Sequence, residues 1–248
     1  MKIINKKYIA PAMIGLSVLG CTGGLSFAND TDVNLNNNGV VSYNESINTK
    51  ATSVGQNYRF SAIGKTFNAH NEATKIGSEV RGFTEMTASS NVSKGKMAVT
   101  TSVFNGSGQL LYSTAWKYNS TATTYVGVGT KAFPSSSRYY IGGYARVIDS
   151  SGKYIDKKLP DTTSPKINIS PELEKERNKL YQDYKMIPAL ATNGESGYIY
   201  ESDLLGEAPK SPEEAIAIQE SRKSGDFKSI PVYAKDTRTV VGEFRIGE

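Results

Sequence analysis

Few residues in this chain could carry out chemistry, and the scarcity is informative. His70 is the only histidine. A zinc site built on several histidines is therefore absent, and so is a His-Glu-x-x-His peptidase helix. His70 lies in Asn68-Ala69-His70-Asn71-Glu72, a polar stretch without a nucleophile-elbow pattern, and reads as an exposed loop histidine. Cys21 is the only cysteine, which leaves neither a disulfide framework nor a nucleophilic cysteine in a processed chain. No phosphate-cradling or dinucleotide glycine pattern occurs. Glycosidase-type hydrolysis needs only two carboxylates, and the chain holds 24 acids. Most of them lie in the charged C-terminal region, where a solvated surface is the default.

Two further groupings have suggestive spacing. Asn34, Asn36, Asn38, Gly39 and Glu45 occupy the first, third, fifth, sixth and twelfth positions of a calcium loop, with Val41 at the apolar eighth. The first position is Asn rather than Asp, no helices flank the loop, and an Asn-rich stretch produces such spacing easily. It reads as composition, with no metal or cofactor expected. The second grouping is aromatic: Trp116, Tyr118, Tyr139, Tyr140 and Tyr144. Exposed on a sheet face, these rings could stack on sugars or dock a protein. Alternation along the strand instead turns Tyr112, Trp116 and Tyr118 together into a core.

The elements that would position these residues are mostly strands. Tyr58, Phe60 and Ala62 alternate with Arg59 and Ser61. Met97, Val99, Thr101 and Val103 form one face of a strand. The turn Asn105-Gly106-Ser107-Gly108 follows, and Leu110, Tyr112, Thr114, Trp116 and Tyr118 alternate on the return. Two period-2 runs around a Gly-rich connection predict a hairpin. Further strands are expected over 125–131 and 138–149. The fold class is thus mainly β: an antiparallel β-sandwich-like domain over residues 57–158, followed by a small α+β C-terminal module. Pro160, Pro165 and Pro171 mark a linker over 159–171. The module over 172–248 should hold a helix from Glu172 to Lys185, a short strand at 197–200, and a helix opened by Ser211-Pro212-Glu213-Glu214 that runs to about Lys223 and stops near Gly225. Two strands, 230–234 and 240–246, complete it.

The N-terminus indicates the compartment. Lys2, Lys6 and Lys7 precede an apolar run from Tyr8 to Leu19, and Ser26-Phe27-Ala28 supplies small residues at a cleavage site. Residues 1–28 therefore read as a secretory signal, with cleavage before Asn29. Val18-Leu19-Gly20-Cys21 is a competing lipobox in which Cys21 would carry lipid. Membrane attachment is expected only in that case. The apolar run is too short and too interrupted to span a bilayer. Residues 29–56, rich in Asn, Ser, Thr and Asp, read as a mobile polar leader. The formal charge of +5 falls to +2 once the three signal lysines are removed. The precursor pI of about 9.0 is thus no argument for nucleic-acid binding.

Two stretches carry a resemblance. The first is Gly108-Gln109-Leu110-Leu111, then Ser113 through Ser120, with Tyr139-Tyr140-Ile141-Gly142-Gly143 downstream. The second is the tail: Gly197-Tyr198-Ile199, Asp203-Leu204, Pro209 through Ala215, Ile230-Pro231-Val232-Tyr233 and Gly242-Glu243-Phe244-Arg245-Ile246-Gly247. Together they resemble uncharacterised exported proteins of Gram-positive bacteria. Some of these carry the tail behind a sensor-type metallopeptidase, whose zinc motif is missing here. The chain departs from the pattern at Met186-Ile187-Pro188-Ala189, where Pro-Asp-Leu-Ile is frequent, and at Asp236-Thr237-Arg238, where an Asp-Gly turn is usual. The resemblance implies compartment and module boundaries, and it brings no catalytic residue. The expectation is a secreted, disulfide-free, non-enzymatic protein that binds a protein or glycan partner at the cell envelope. The alternatives are a carbohydrate-binding module with exposed aromatics and a carboxylate-based hydrolase.

Overall fold

The computed structural model describes residues 50–162, 170–222 and 226–247. The expected signal with Cys21 and the Asn-rich spacing at 34–45 lie outside the described residues. So do 163–169, most of the expected linker, and 223–225, where the last helix was expected to stop.

The fold is mainly β, with two sheets and a helical contribution from the C-terminal part. In chain order the first strands are β1 (Lys50–Val54), β2 (Tyr58–Ala62), β3 (Lys65–Ile76), β4 (Glu79–Val92), β5 (Met97–Asn105), β6 (Leu110–Ser113) and β7 (Lys117–Tyr118). Next come β8 (Thr123–Gly129), β9 (Phe133–Pro134), β10 (Tyr139–Ile148) and β11 (Tyr154–Lys158). The C-terminal part adds α1 (Pro171–Tyr184), β12 (Met186–Leu190), β13 (Ser196–Tyr200), α2 (Glu201–Leu205), α3 (Pro212–Ser221), β14 (Lys228–Tyr233) and β15 (Val240–Ile246).

Sheet A runs β1-β3-β4-β8, with β2 also on β3 and β9 also on β4. Its long β3–β4 hairpin alternates cleanly: Phe67, Ala69 and Asn71 on β3 and Gly82, Thr84 and Met86 on β4 point inward. Sheet B begins β11-β10-β5-β6 and lays Met97, Val99, Ala145 and Val147 against Phe60, Phe67 and Met86 of sheet A. That interface is a sandwich core. A polar pair sits inside it. The Thr84 hydroxyl donates to Asn71 Oδ1 at 2.7 Å, and the Asn71 amide donates to the Pro160 carbonyl at 2.9 Å, so the buried amide is satisfied.

Two expectations about boundaries change. Residues 50–54 are not leader: β1 pairs with β3 in register from Lys50↔Ile76 to Val54↔Glu72, because its backbone completes an edge that β2 leaves unpaired. The start of the expected linker is also part of the sandwich. Leu159 and Thr162 are buried, and their amides donate to the carbonyls of Gly143 and Ile141 at 3.0 and 2.8 Å.

The C-terminal strands do not form a separate sheet. They continue sheet B in the order β6-β12-β13-β14-β15, and β15 returns to β6. Strand β6 pairs in parallel with β12 at Leu110↔Ala189 and with β15 at Ser113↔Ile246. Five strands thereby close a small ring, and one of its staves comes from the N-terminal half. Leu110, Ile187, Ala189, Ile199, Val232 and Phe244 share its buried cluster. Helix α1 lies outside the ring, with Leu180 on Met186 and Tyr198. Its cap is Ser170, whose hydroxyl accepts from the Leu173 amide, and Lys185 ends it in a left-handed conformation. The expected Ser211 cap of α3 is present, accepting from the Glu214 amide at 3.2 Å.

Candidate functional site

The hairpin that carries Trp116 is interrupted, and a concavity opens beside the interruption. Strand β6 ends at Ser113 after pairing Ser102↔Ser113 and Val103↔Tyr112. The chain then leaves the ladder and resumes as β7 against Val99 and Ala98. Tyr112 and Trp116 therefore do not share a face, as unbroken alternation would require. Tyr112 packs with Val103 and Ile141, whereas Trp116 joins the ring-side core.

Trp116 is 8% exposed. Its indole N–H donates to the Leu205 carbonyl at 2.9 Å. Behind it the Arg146 guanidinium lies 4.0 Å from the indole centroid and 4.7 Å from that of Tyr154. Arg146 is nearly fully buried and makes a two-pronged pair with Asp156, both bonds at 2.7 Å, while a third nitrogen donates to the Tyr118 hydroxyl at 3.2 Å. Burial pushes the Tyr118 phenol up, against the opposing pull of Arg146. Burial likewise takes Tyr154 to about 12.

On the other side of Trp116 opens a cleft of about 420 Å³, walled by α2, α3, the connection between them and the start of β14. Helix α3 is clamped to β7 because the Gln219 side-chain Oε1 accepts from the Tyr118 backbone N–H at 2.7 Å. The rim carries two exposed apolar side chains, Ile218 at 40% and Phe227 at 47%. Charges of both signs flank them: Arg222 and Lys228, Glu207 and Asp226. An apolar floor with a few polar groups at the rim suits recognition of a ligand by shape, with charges setting its orientation.

The remaining aromatic candidates are dispersed, and they do not make the exposed platform that a sugar-stacking reading required of them. Tyr140 is buried and stacks on Phe104 with centroids 4.8 Å apart. The buried Tyr144 donates to Glu201. Burial pushes both phenols well up. Tyr139 packs beside Phe133 at 5.5 Å. Only Trp116 and Tyr118 of the five border the cleft.

His70 is on a strand, not in a loop. It sits opposite Glu85 on the outer face of sheet A, with Nε2 3.1 Å from Glu72 Oε1 and 3.6 Å from Glu85 Oε1. Residues 63–96 offered little pattern because Asn71, Gly82 and Thr84 interrupt the apolar residues at the inward positions. The alternation of Phe67 with Ala69 and of Thr84 with Met86 was the available signal. Among the described residues no group of three His, Cys, Asp or Glu side chains has the geometry to hold a metal ion, and no helix is long and apolar enough to cross a membrane. No family model, curated protein or solved structure matches the chain.

Proposed function

We propose that the chain is an exported binding protein of the cell envelope, without enzymatic activity of its own, and that it engages a protein partner at the Trp116 cleft. The observation that carries this reading is the rim. Ile218 and Phe227 leave apolar surface in water beside a floor already organised by the Trp116–Leu205 hydrogen bond and the Arg146 stack. Exposed apolar side chains around a preformed concavity are what a short apolar segment of a partner would cover. Export rests on the Lys-rich start, apolar run and small-residue site of residues 1–28.

The test is site-specific photo-crosslinking on intact cells, with the crosslinker placed in turn at Ile218, Phe227 and Tyr184. Tyr184 is exposed at the end of α1 and serves as the control. The same adduct should form from the two cleft positions and not from Tyr184. Equal yields from all three positions, or none from the cleft, would remove the cleft reading. Mass spectrometry of the exported chain should find Asn29 at the N-terminus, and a lipidated Cys21 would replace the soluble form with an anchored one.

A further inference from the structure

The outer face of sheet A has chemistry that the cleft does not use. Gly127 and Gly129 on β8 lie in register with Glu85 and Phe83 on β4. A Cβ at Gly127 would come within 2.6 Å of Phe83 Cζ, and one at Gly129 within 3.4 Å of Phe83 Cδ2. The Phe83 ring thus lies across both glycines, flat on the sheet. The same Cβ at Gly127 would meet the Tyr125 hydroxyl at 2.6 Å, so Tyr125 borders the ring on its other side. Tyr125 is 45% exposed and donates to Glu85. Next to these rings, His70 Nε2 faces Glu72 and Glu85. The helices pack on sheet B strands, and β8 ends the sheet A path, so the platform is open at one side.

Two carboxylates against one imidazole leave this patch negative in either state of the histidine. Among the cations of the same face, Arg81 is tied to Glu79 at 3.2 Å, and Arg59 lies on β2 opposite Asn68. A matching ligand needs one apolar face to lie on flat rings, and hydrogen-bond donors with positive charge around its edge. A lysine or arginine side chain would ask for a cage, whereas this surface has no walls. A pyranose bearing an amine has the required shape. Glu72 lies across from Phe83 and Gly129, two strands and four residues from Tyr125, so the patch is longer than one sugar ring.

We infer that the outer face of sheet A is a binding site for a cationic amino-sugar oligomer, with the rings of Tyr125 and Phe83 as the stacking surface and Glu72 and Glu85 as partners for its amines. This site is independent of the Trp116 cleft.

The probe is a β-1,4-linked glucosamine hexamer, with the fully N-acetylated hexamer as its uncharged counterpart, titrated by calorimetry into the exported chain. Saturable binding of the glucosamine hexamer is expected, with a clear preference over the acetylated one. Tyr125→Ala should weaken it about tenfold, the scale of one aromatic contact. A Glu72→Gln/Glu85→Gln double variant should abolish the preference, and Phe227→Ala in the cleft should leave binding unchanged. Urea titration checks that each variant is folded. The inference is overturned by absence of saturable binding, by equal affinity for the two hexamers, by an unaffected Tyr125→Ala variant, by loss of binding in Phe227→Ala, or by a dimer of the chain that Tyr125→Ala dissociates.

Discussion

Arg146 shows how one side chain can organise two parts of this chain. It is a charge held inside the protein, and it is tolerated because it is engaged by the Asp156 carboxylate, the Tyr118 hydroxyl and the rings of Trp116 and Tyr154. Removing one partner from such a pair leaves an uncompensated charge, which costs more than the pair itself contributes. Asp156→Asn should therefore lower stability by about 3 kcal/mol in urea titration. An Arg146→Met/Asp156→Leu double variant should lose less than the single one. If the single variant is neutral, the guanidinium has other support. Trp116→Ala removes both the stack and the indole hydrogen bond and should cost about 3–5 kcal/mol. Asp236 provides a pH test. Its carboxylate accepts from the Thr239 hydroxyl and from the Thr239 and Arg238 amides, which lowers its pKa to about 2. A depressed carboxylate contributes stability above its unfolded pKa, and the contribution is lost as pH falls through the folded value. The wild type should thus lose stability more steeply than Asp236→Asn between about pH 4 and pH 2. Parallel acid limbs would disprove the linkage.

At the scale of elements, the two sheets come into close contact at Gly143, where β10 has no side chain. A Cβ at Gly143 would lie 2.7 Å from Thr84 Oγ1 and 2.8 Å from Asn71 Oδ1, as well as against the Thr100 carbonyl. Thr100 is on the adjacent strand, and Thr84 and Asn71 form the buried polar pair of the opposite sheet, so none of the three can retreat without giving up a bond. Gly143→Ala should cost about 3 kcal/mol, as overpacking does where the neighbours cannot move. A melting temperature within a degree of wild type would show that the sheets can separate. The contrast with β6 is instructive. The pairings of β6 with β12 and β15 are single bridges, yet its Leu110 side chain is fully buried in the cluster of the ring it closes.

For the whole molecule, the shared stave makes the two halves interdependent. A protease site engineered between Thr162 and Ser170 should yield pieces that remain together in gel filtration and part only in denaturant. Residues 170–248 produced alone should fail to unfold cooperatively, since they lack the strand that closes their ring and the Trp116 surface under α2 and α3. A cooperative transition from that fragment would restore the picture of a self-sufficient C-terminal module. Either result bears on the cleft, because its walls come from both halves of the chain.

Local signals were legible wherever backbone chemistry is local. The Asn105–Gly108 turn, the Ser211 cap with its Pro and Glu, and the 230–246 hairpin all follow from residues within a few positions of one another. The mainly β class followed from the same kind of pattern. The long β3–β4 hairpin was not legible, because Asn71, Thr84 and Gly82 occupy inward positions where apolar residues would have marked a strand. The side of the core that each aromatic joins was not legible either. A break of three residues after Ser113 reverses the face that Trp116 presents, and nothing local announces it. The cleft and the acidic, ring-bearing face of sheet A are assembled across strands far apart in the chain. His70 and Glu85, Trp116 and Leu205, Tyr125 and Phe83 meet only through strand pairing and packing. Composition and spacing determined that several strands exist, where the Ser211 cap lies and how few groups could be catalytic. Which side chains face each other was decided by register and by the closure of the C-terminal strands into a ring through β6, both of which depend on contacts between residues distant in sequence.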